Sequence, residues 1–421
     1  MIPPLIITTW LLGLLSFGII GSAVYLLYEW YQRVWTYNPD LNRYIFDPNF
    51  GFNALTAMLV AGLLLLTWTF LGGLILRVVM LILRVVMGSR NRGDSKLDPP
   101  RMTREGTVQR LKRPDGSELH VEFYGPADGP PIVLTHGWGM NSTEWHYLKR
   151  ELTDQFRLIV WDLPGLGLST RPENRDYSLE NLARDLEAVL GFAAGRPAIL
   201  LGHSIGGMIT QTFCRLFPQD LGTRVKGLVL AHTTYTNPVR TVKGAPIYTA
   251  LERPVIVPLL YLTIWLSPLV WLMNWMSYLN GTAQLGTKQT GYAGTESWDQ
   301  VDWATRYMLY APPSVLAHGM FGMLKYDATD TLPTIDIPTL VVAGDHDPVC
   351  KPEASEFIHE NILDSKPVPL VPAKHMGLTE HHDYFAENVR KFGLTVLQSN
   401  GKGTNAEHLG GTLTSHQPLK N

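Results

Sequence analysis

The pattern of apolar and polar positions divides the chain into an apolar N-terminal part, a middle part of short alternating runs and a polar tail. Residues 2–28 and 48–76 contain no charged side chain. Each run exceeds the ~20 apolar residues that cross a bilayer as a helix. The sequence therefore predicts two transmembrane helices, at about residues 5–28 and 52–76.

The charges around these helices predict their orientation. A cleavable signal peptide is the alternative for the first run, but no basic residue precedes that run and it is too long for such a peptide. Seven lysines or arginines lie in residues 77–104, whereas two lie in residues 29–47. Because basic segments stay on the cytoplasmic side, we predict a multi-pass membrane protein with a basic juxtamembrane helix over 77–104. The rest of the chain is then cytoplasmic.

The middle part, residues 105–395, alternates between short apolar runs and helical patterns. Strands are predicted at 108–113, 118–124, 132–135, 157–161, 198–202, 227–231, 339–343 and 367–371. Helices are predicted near 143–153, 178–193, 205–216, 353–363 and 380–391. The first two strands flank a Pro-Asp-Gly turn and form a hairpin. This alternation predicts an α/β fold, with a mostly parallel sheet covered by helices on both faces.

The run Gly-His-Ser-Ile-Gly-Gly at residues 202–207 follows a predicted strand and precedes a predicted helix. This pattern is typical of a nucleophile elbow, a sharp turn that exposes a serine hydroxyl. Glycines flank the serine because the turn leaves little room and strains the backbone. The motif makes Ser204 a candidate nucleophile, which needs a base beside it.

An acid and a base follow later strands in the order that such a serine requires. Residues 344–348, Gly-Asp-His-Asp-Pro, place Asp345 and Asp347 after one strand, and His375 follows the last strand. His381 and His382 are the alternatives to His375, but they begin a predicted helix rather than end a strand.

With these motifs, residues 105–395 resemble the α/β-hydrolase superfamily in its lipase, esterase and haloperoxidase-like branches. The resemblance includes His-Gly-Trp-Gly at 136–139 and Asp-Leu-Pro-Gly-Leu-Gly-Leu-Ser at 162–169. It implies that Ser204 is the nucleophile, Asp347 the acid and His375 the base.

The resemblance also implies an oxyanion hole formed by the backbone N–H groups of Trp138 and Ile205. It favours Asp347 over Asp345, because the family's acid is the third residue after the glycine. Lys374 departs from the family, which usually has glycine before the histidine. His136 and His203 are expected to brace loops.

An insert at about residues 233–330 separates the sixth and seventh predicted strands. Its stretch 254–287 has no charged residue and contains five Trp or Tyr. A single membrane crossing here would put Ser204 and His375 on opposite sides, so we expect an apolar cap that packs over the site or lies in the membrane interface. Residues 396–421 are too polar to fold alone and are expected to be a disordered tail.

We therefore expect a membrane-anchored serine hydrolase that cleaves lipophilic carboxylic esters, similar to monoacylglycerol-lipase-like and carboxylesterase members. A cofactor-free haloperoxidase or perhydrolase and a lipid acyltransferase are alternatives on the same triad. A non-enzymatic membrane scaffold is disfavoured because no triad member is missing. The expected partners are a lipophilic ester and a membrane. No nucleic-acid partner is expected, because a net charge of −2 is not typical of a nucleic-acid-binding protein. Cys214 and Cys350 form neither a disulfide framework nor zinc spacing, and no metal or cofactor is implied.

Overall fold

The computed structural model describes residues 2–46, 54–86 and 106–398. Its N-terminal part is a pair of long helices, α1 (Leu5–Val34) and α2 (Ala54–Val86). A small hairpin, β1 (Trp35–Asn38) with β2 (Arg43–Phe46), follows the C-terminal end of α1. Both helices lie where the sequence predicts them and extend further. The predicted juxtamembrane helix beyond Val86 and the predicted tail from residue 399 lie outside the described residues.

The C-terminal part is built on one eight-stranded sheet. Its strands are β3 (Thr107–Lys112), β4 (Glu118–Tyr124), β5 (Pro131–Thr135), β6 (Arg157–Trp161), β7 (Ala198–His203), β8 (Val225–Ala231), β9 (Thr339–Gly344) and β10 (Ser365–Leu370). Their spatial order is β10-β9-β8-β7-β5-β6-β4-β3. Strands β5 to β10 are parallel to one another, whereas β4 is antiparallel to both of its neighbours, β6 and β3. All eight predicted strands are confirmed.

Helices cover both faces of the sheet, as the sequence predicts. They are α3 (His146–Leu152), α4 (Leu179–Leu190) and α5 (Ile205–Leu216), and after the insert α13 (Pro352–Asn361), α14 (Gly377–Glu380) and α15 (His382–Gln398). The central strands are buried on both faces and rich in Val, Ile and Leu, as parallel strands under two helical layers must be. Their carboxyl ends therefore meet at one edge, beneath the insert.

The insert between β8 and β9 folds into a helical cap. Its helices are α6 (Pro238–Thr241), α7 (Ala245–Leu251), α8 (Val257–Trp265), α9 (Ser267–Leu279), α10 (Thr282–Gly291), α11 (Trp298–Tyr310) and α12 (Pro313–Leu324). Within the described ranges, three helices could cross a membrane by length and composition: Leu5–Val34, Ala54–Ile82 and Ala245–Trp265. The third consists of α7 and α8 with the π-helical turn Glu252–Ile256 between them. It belongs to the cap, where Ile256 and Leu260 are fully buried beside α12.

The N-terminal helices pack against this cap. Ile2 and Ile6 are each 2 % exposed and belong to apolar clusters that contain residues of the C-terminal part. On α2, Gly72 lies so close to the backbone of Asn280 that an added Cβ would approach its carbonyl oxygen to 2.5 Å. The sequence predicted residues 1–104 as an anchor separate from a core at 105–395. At the cap, apolar contacts join the two parts.

Candidate active site

Ser204 lies in the turn between β7 and α5, with backbone angles φ 54° and ψ −116°. Side chains rarely adopt this left-handed region, so surrounding contacts must hold it. A Cβ on Gly202 would lie 2.2 Å from the Gly206 backbone, and one on Gly206 would lie 2.2 Å from the carbonyl oxygen of Thr135. Glycine is therefore required at both positions for the turn to form, because a side chain would collide with the backbone there.

The loops after β9 and β10 bring Asp347 and His375 to this serine. His375 Nε2 lies 3.1 Å from Ser204 Oγ, and His375 Nδ1 lies 2.8 Å from Asp347 Oδ2. Because a carboxylate only accepts, Nδ1 carries the hydrogen and Nε2 is left to accept from the serine hydroxyl. The three residues that the sequence selects thus form one hydrogen-bonded chain.

Asp347 is 3 % exposed, and both of its carboxylate oxygens have donors. Oδ1 accepts from the backbone N–H groups of Val349, at 2.8 Å, and Cys350, at 3.0 Å. Oδ2 accepts from His375 and also from His232 Nδ1, at 3.2 Å. Burial raises the pKa of Asp347, but the charges and hydrogen bonds of the two histidines outweigh burial and hold this pKa well below its usual range.

The rival residues take other contacts. Asp345 Oδ1 accepts from the backbone N–H of Ala373 at 2.8 Å, so its carboxylate joins the loops after β9 and β10. His381 Nε2 donates to the carbonyl oxygen of Pro372 at 2.7 Å. The ring of His382 stacks on Tyr147 at a centroid distance of 4.0 Å. None of these three contacts involves Ser204.

Burial lowers the pKa of His375 to about 4, although the nearby Asp347 charge opposes this effect. Its side chain is 12 % exposed. A neutral imidazole is the form that can accept a proton from Ser204. The site therefore keeps its base ready over the neutral and mildly acidic range.

The loop after β5 and the start of α5 contribute the two proposed oxyanion donors, Trp138 and Ile205. Gly137 and Trp138 line the same cavity as Ser204 and His375. The Trp138 side chain is 1 % exposed, and its Nε1 donates to the carbonyl oxygen of Leu316 in the cap at 3.0 Å. Ile205 is the first residue of α5, where backbone N–H groups have no partner within the helix.

Glu144 is a site residue that the sequence analysis missed. Its Oε2 accepts from the backbone N–H of Gly137 at 2.7 Å, and its Oε1 accepts from His203 Nδ1 at 2.6 Å. His203 Nε2 lies 3.2 Å from the carbonyl oxygen of His375. Burial raises the pKa of Glu144, but the charge and the hydrogen bond of His203 outweigh burial, so this pKa lies below its usual value. The pair links the oxyanion loop to the loop that carries the base.

Two other histidines have defined positions. His136 Nε2 accepts from the backbone N–H of Leu163 at 2.9 Å, so His136 and His203 brace loops, as predicted. His232 was not anticipated, although its position directly after β8 marks the edge where functional residues collect. His232, Asp347 and His375 each have one atom that could bind a metal ion, and these three atoms lie within 4.8 Å of one another. Both ring Nδ1 atoms donate to the carboxylate, which leaves them no lone pair for a cation.

A cavity of about 160 Å³ lies above Ser204 and His375. The cap closes it with mostly small and aliphatic side chains, among them Ala283, Gly286 and Leu309. Helix α1 supplies another wall, through Leu5 and Leu12. The insert thus covers the site, in agreement with one of the two arrangements that the sequence allows.

Comparison with known sequences agrees with this geometry. The model of the family described as "Alpha/beta hydrolase family" matches residues 132–388. A pimeloyl-[acyl-carrier protein] methyl ester esterase from Aeromonas salmonicida (strain A449) is 27% identical over 282 residues, which are 65% of this chain and 98% of that protein. Helices α1 and α2 lie outside residues 132–388, which the family model matches.

Solved structures are similar over about two thirds of the chain. A thermophilic esterase from Thermogutta terrifontis matches with a TM-score of 0.56 at 26% identity, over 68% of this chain and 99% of that one. A bromoperoxidase from Bacillus anthracis matches with a TM-score of 0.55 at 22% identity, over 68% and 99% of the two chains. The second likeness extends to the fold alone.

Proposed function

Because this chain belongs to the alpha/beta hydrolase family, we propose that it is a membrane-anchored serine hydrolase that cleaves lipophilic carboxylic esters. The observation that carries the proposal is the hydrogen-bonded chain from Ser204 through His375 to Asp347, at 3.1 and 2.8 Å. A serine hydroxyl becomes nucleophilic when a neutral imidazole accepts its proton. The esterases among the relatives support the ester as the bond that is cleaved.

The reaction follows from the positions of these groups. Ser204 Oγ attacks the ester carbonyl carbon while its proton passes to His375 Nε2, and Asp347 stabilises the imidazolium that forms. The backbone N–H groups of Trp138 and Ile205 donate to the oxyanion. His375 then gives the proton to the leaving alcohol, and the acyl group stays on Ser204. A water molecule, deprotonated by His375, attacks the acyl carbon. The bond from that carbon to Ser204 Oγ then breaks, His375 returns the proton to Oγ, and the carboxylic acid is released.

The cavity supports a lipophilic substrate. Its walls of small and aliphatic side chains offer an acyl group apolar contacts, and burial of each methylene contributes about 0.8 kcal/mol. On the outer surface of the cap, Trp265 is 78 % exposed and Trp271 is 47 % exposed. Tryptophan favours the headgroup depth of a bilayer. Both features agree with a substrate that resides in a membrane.

Two long apolar helices support a membrane anchor. Helices α1 and α2 have 30 and 33 residues, so at about 1.5 Å per residue each exceeds the ~30 Å hydrocarbon core. The excess of basic residues in 77–104 supports a cytoplasmic hydrolase. A protease site inserted near Asn38 should be cleaved only from the non-cytoplasmic side, and one inserted after Lys402 only from the cytoplasmic side. Cleavage of both sites from one side would contradict this orientation.

Ester hydrolysis by the purified full-length protein tests the proposed activity. In nanodiscs, the wild-type protein should release 4-nitrophenol from 4-nitrophenyl acetate and octanoate, whereas Ser204→Ala should lose this activity. Thermal unfolding should show that the variant remains folded. Absence of hydrolysis by the wild-type protein, or equal rates for the folded variant, would overturn the proposal.

A further inference from the structure

The membrane anchor forms part of the cavity above the catalytic serine. Leu5, Thr8, Thr9 and Leu12 of α1 line this cavity together with Ser204 and His375. Their spacing of three, four and seven residues places all four on one face of the helix. Helix α1 lies outside residues 132–388, so this wall is not part of what the family model describes.

Helix α10 forms the facing wall with small residues. Ala283, Gly286, Thr287, Thr290 and Gly291 line the cavity at helical spacing. Thr9 Oγ1 donates to the Leu5 carbonyl at 3.1 Å, and Thr290 Oγ1 donates to the Gly286 carbonyl at 3.0 Å. The helices' own carbonyls thus satisfy these two hydroxyl donors. The surface of the cavity is mainly apolar.

The groove leads away from the catalytic centre. Its near end is at Gly291, whose carbonyl oxygen accepts from the backbone N–H of Met376, the residue after His375, at 2.8 Å. Its far end is at Ala283, about 12 Å away along α10 at 1.5 Å per residue. The two walls approach each other near that end, where a Cβ on Gly286 would lie 3.3 Å from Leu12 Cδ1. The Leu12 side chain therefore limits how far an extended ligand can reach.

Specific contacts hold α1 in this place. Trp10 Nε1 donates to Thr263 Oγ1 of α8 at 2.9 Å. Ser16 Oγ lies 3.0 Å from Ser277 Oγ of α9 and accepts from Asn280 Nδ2 at 2.8 Å. Hydrogen bonds on both sides of Leu12 thus hold this wall against the cap.

The position of the groove along α1 indicates where it lies in a bilayer. Glu29 is the first charged residue of the helix. Seventeen residues separate it from Leu12, which is about 26 Å of helix and close to the ~30 Å hydrocarbon thickness. If Glu29 reaches the far headgroups, Leu12 and the groove lie at the near interface. The carbonyl of a lipid ester resides at that depth.

We infer that α1 is a wall of an acyl-chain site, and that the substrate is a lipid ester whose acyl chain lies between α1 and α10. The ester carbonyl lies at Ser204, and the chain extends from Gly291 toward Leu12. This inference rests on the esterase activity proposed above. It makes the membrane anchor a determinant of chain-length selectivity.

Substitutions on the two walls test the site. Full-length protein in nanodiscs is assayed on 4-nitrophenyl acetate, octanoate and dodecanoate, and the ratio of kcat/KM for dodecanoate to that for acetate is compared. Leu12→Trp shortens the groove, and Gly286→Leu shortens it from the facing wall. Each should lower this ratio by about tenfold or more, since added bulk in an apolar pocket discriminates on that scale. Leu12→Ala should raise the preference for dodecanoate over octanoate.

Leu11→Trp is the matched control, because Leu11 is the next residue of α1 and is 61 % exposed. It should leave the ratio unchanged. Equal ratios for Leu12→Trp, Gly286→Leu and wild type, or equal losses for Leu11→Trp and Leu12→Trp, would overturn the acyl-chain site. Wild-type hydrolysis of acetate is a separate result, because its absence would refute the esterase activity itself. Thermal unfolding identifies any variant that fails to fold, and the variant on the other wall then decides.

Discussion

The strand ends of the sheet and the helices above them use their polar groups in different ways. In the loops beyond the strand ends, buried hydrogen bonds fix the orientation of His375 and Asp347, and Glu144 binds the loop after β5 from its 3₁₀ helix. In the wall above, Thr9 and Thr290 turn their hydroxyl donors to their own helices. The first region thus fixes protons and charges, and the second provides apolar contact. Changes in the sheet should alter the chemical step, whereas changes in the wall should alter substrate preference.

The largest expected effect concerns the acid and the base. His375→Ala and Asp347→Asn should each lower kcat on 4-nitrophenyl acetate by about 10³-fold or more, because the first removes the base and the second misorients it. Asp345→Asn is the matched control, since Asp345 contacts the Ala373 backbone rather than His375. The Asp345→Asn variant should lose less than about tenfold in kcat. Equal losses for the two asparagine variants would contradict the assignment of Asp347.

Substitutions of Glu144 test whether its hydrogen bond to the Gly137 N–H positions the oxyanion loop. Glu144→Ala removes the acceptor of the Gly137 N–H, and displacement of a reacting group by about 1 Å costs on the order of 10² in rate. We expect kcat on acetate to fall on that scale with little change in KM. Glu144→Gln keeps an oxygen acceptor and should recover much of the rate. If a folded Glu144→Ala variant kept the wild-type kcat, this positioning role would be wrong.

The pH dependence of kcat/KM reports the environment of His375. Burial lowers the pKa of His375 to about 4, so the neutral base persists when the pH falls below the ordinary histidine value of 6.5. Activity on acetate should therefore hold between pH 6.5 and 5 and decline as the pH approaches 4. Unfolding must be followed over the same range. An acid limb centred at or above pH 6.5 would show that burial does not govern this group.

The smallest effect is expected on the outer surface of the cap. Trp265→Ser with Trp271→Ser removes two exposed rings, but α1 and α2 still anchor the protein. Hydrolysis of a long-chain ester embedded in vesicles should fall only a few-fold, and hydrolysis of soluble acetate should not change. Parallel loss on both substrates would show that these rings stabilise the cap instead of contacting lipid.

The same contrast explains what could be predicted from the sequence. Ser204 directly follows β7, and Asp347 and His375 lie in the short loops after β9 and β10. The parallel sheet brings those strand ends together, so local motifs were sufficient. Glu144 lies in a short 3₁₀ helix (Ser142–Trp145) that carries no motif, and its role depends on a contact with His203, 59 positions later. The packing of α1 on the cap depends on contacts such as Trp10 with Thr263, 253 positions apart. No local periodicity records such contacts, so the anchor was predicted as a separate part.

The account depends most on Ser204 as the nucleophile, and covalent labelling tests this directly. A fluorophosphonate probe reacts with a serine whose hydroxyl a neighbouring base activates. The full-length protein in nanodiscs should carry one adduct, and peptide mass spectrometry should locate it on Ser204. Ser204→Ala should remain folded and unlabelled. An adduct on another residue, or undiminished labelling of the folded Ser204→Ala variant, would contradict the account.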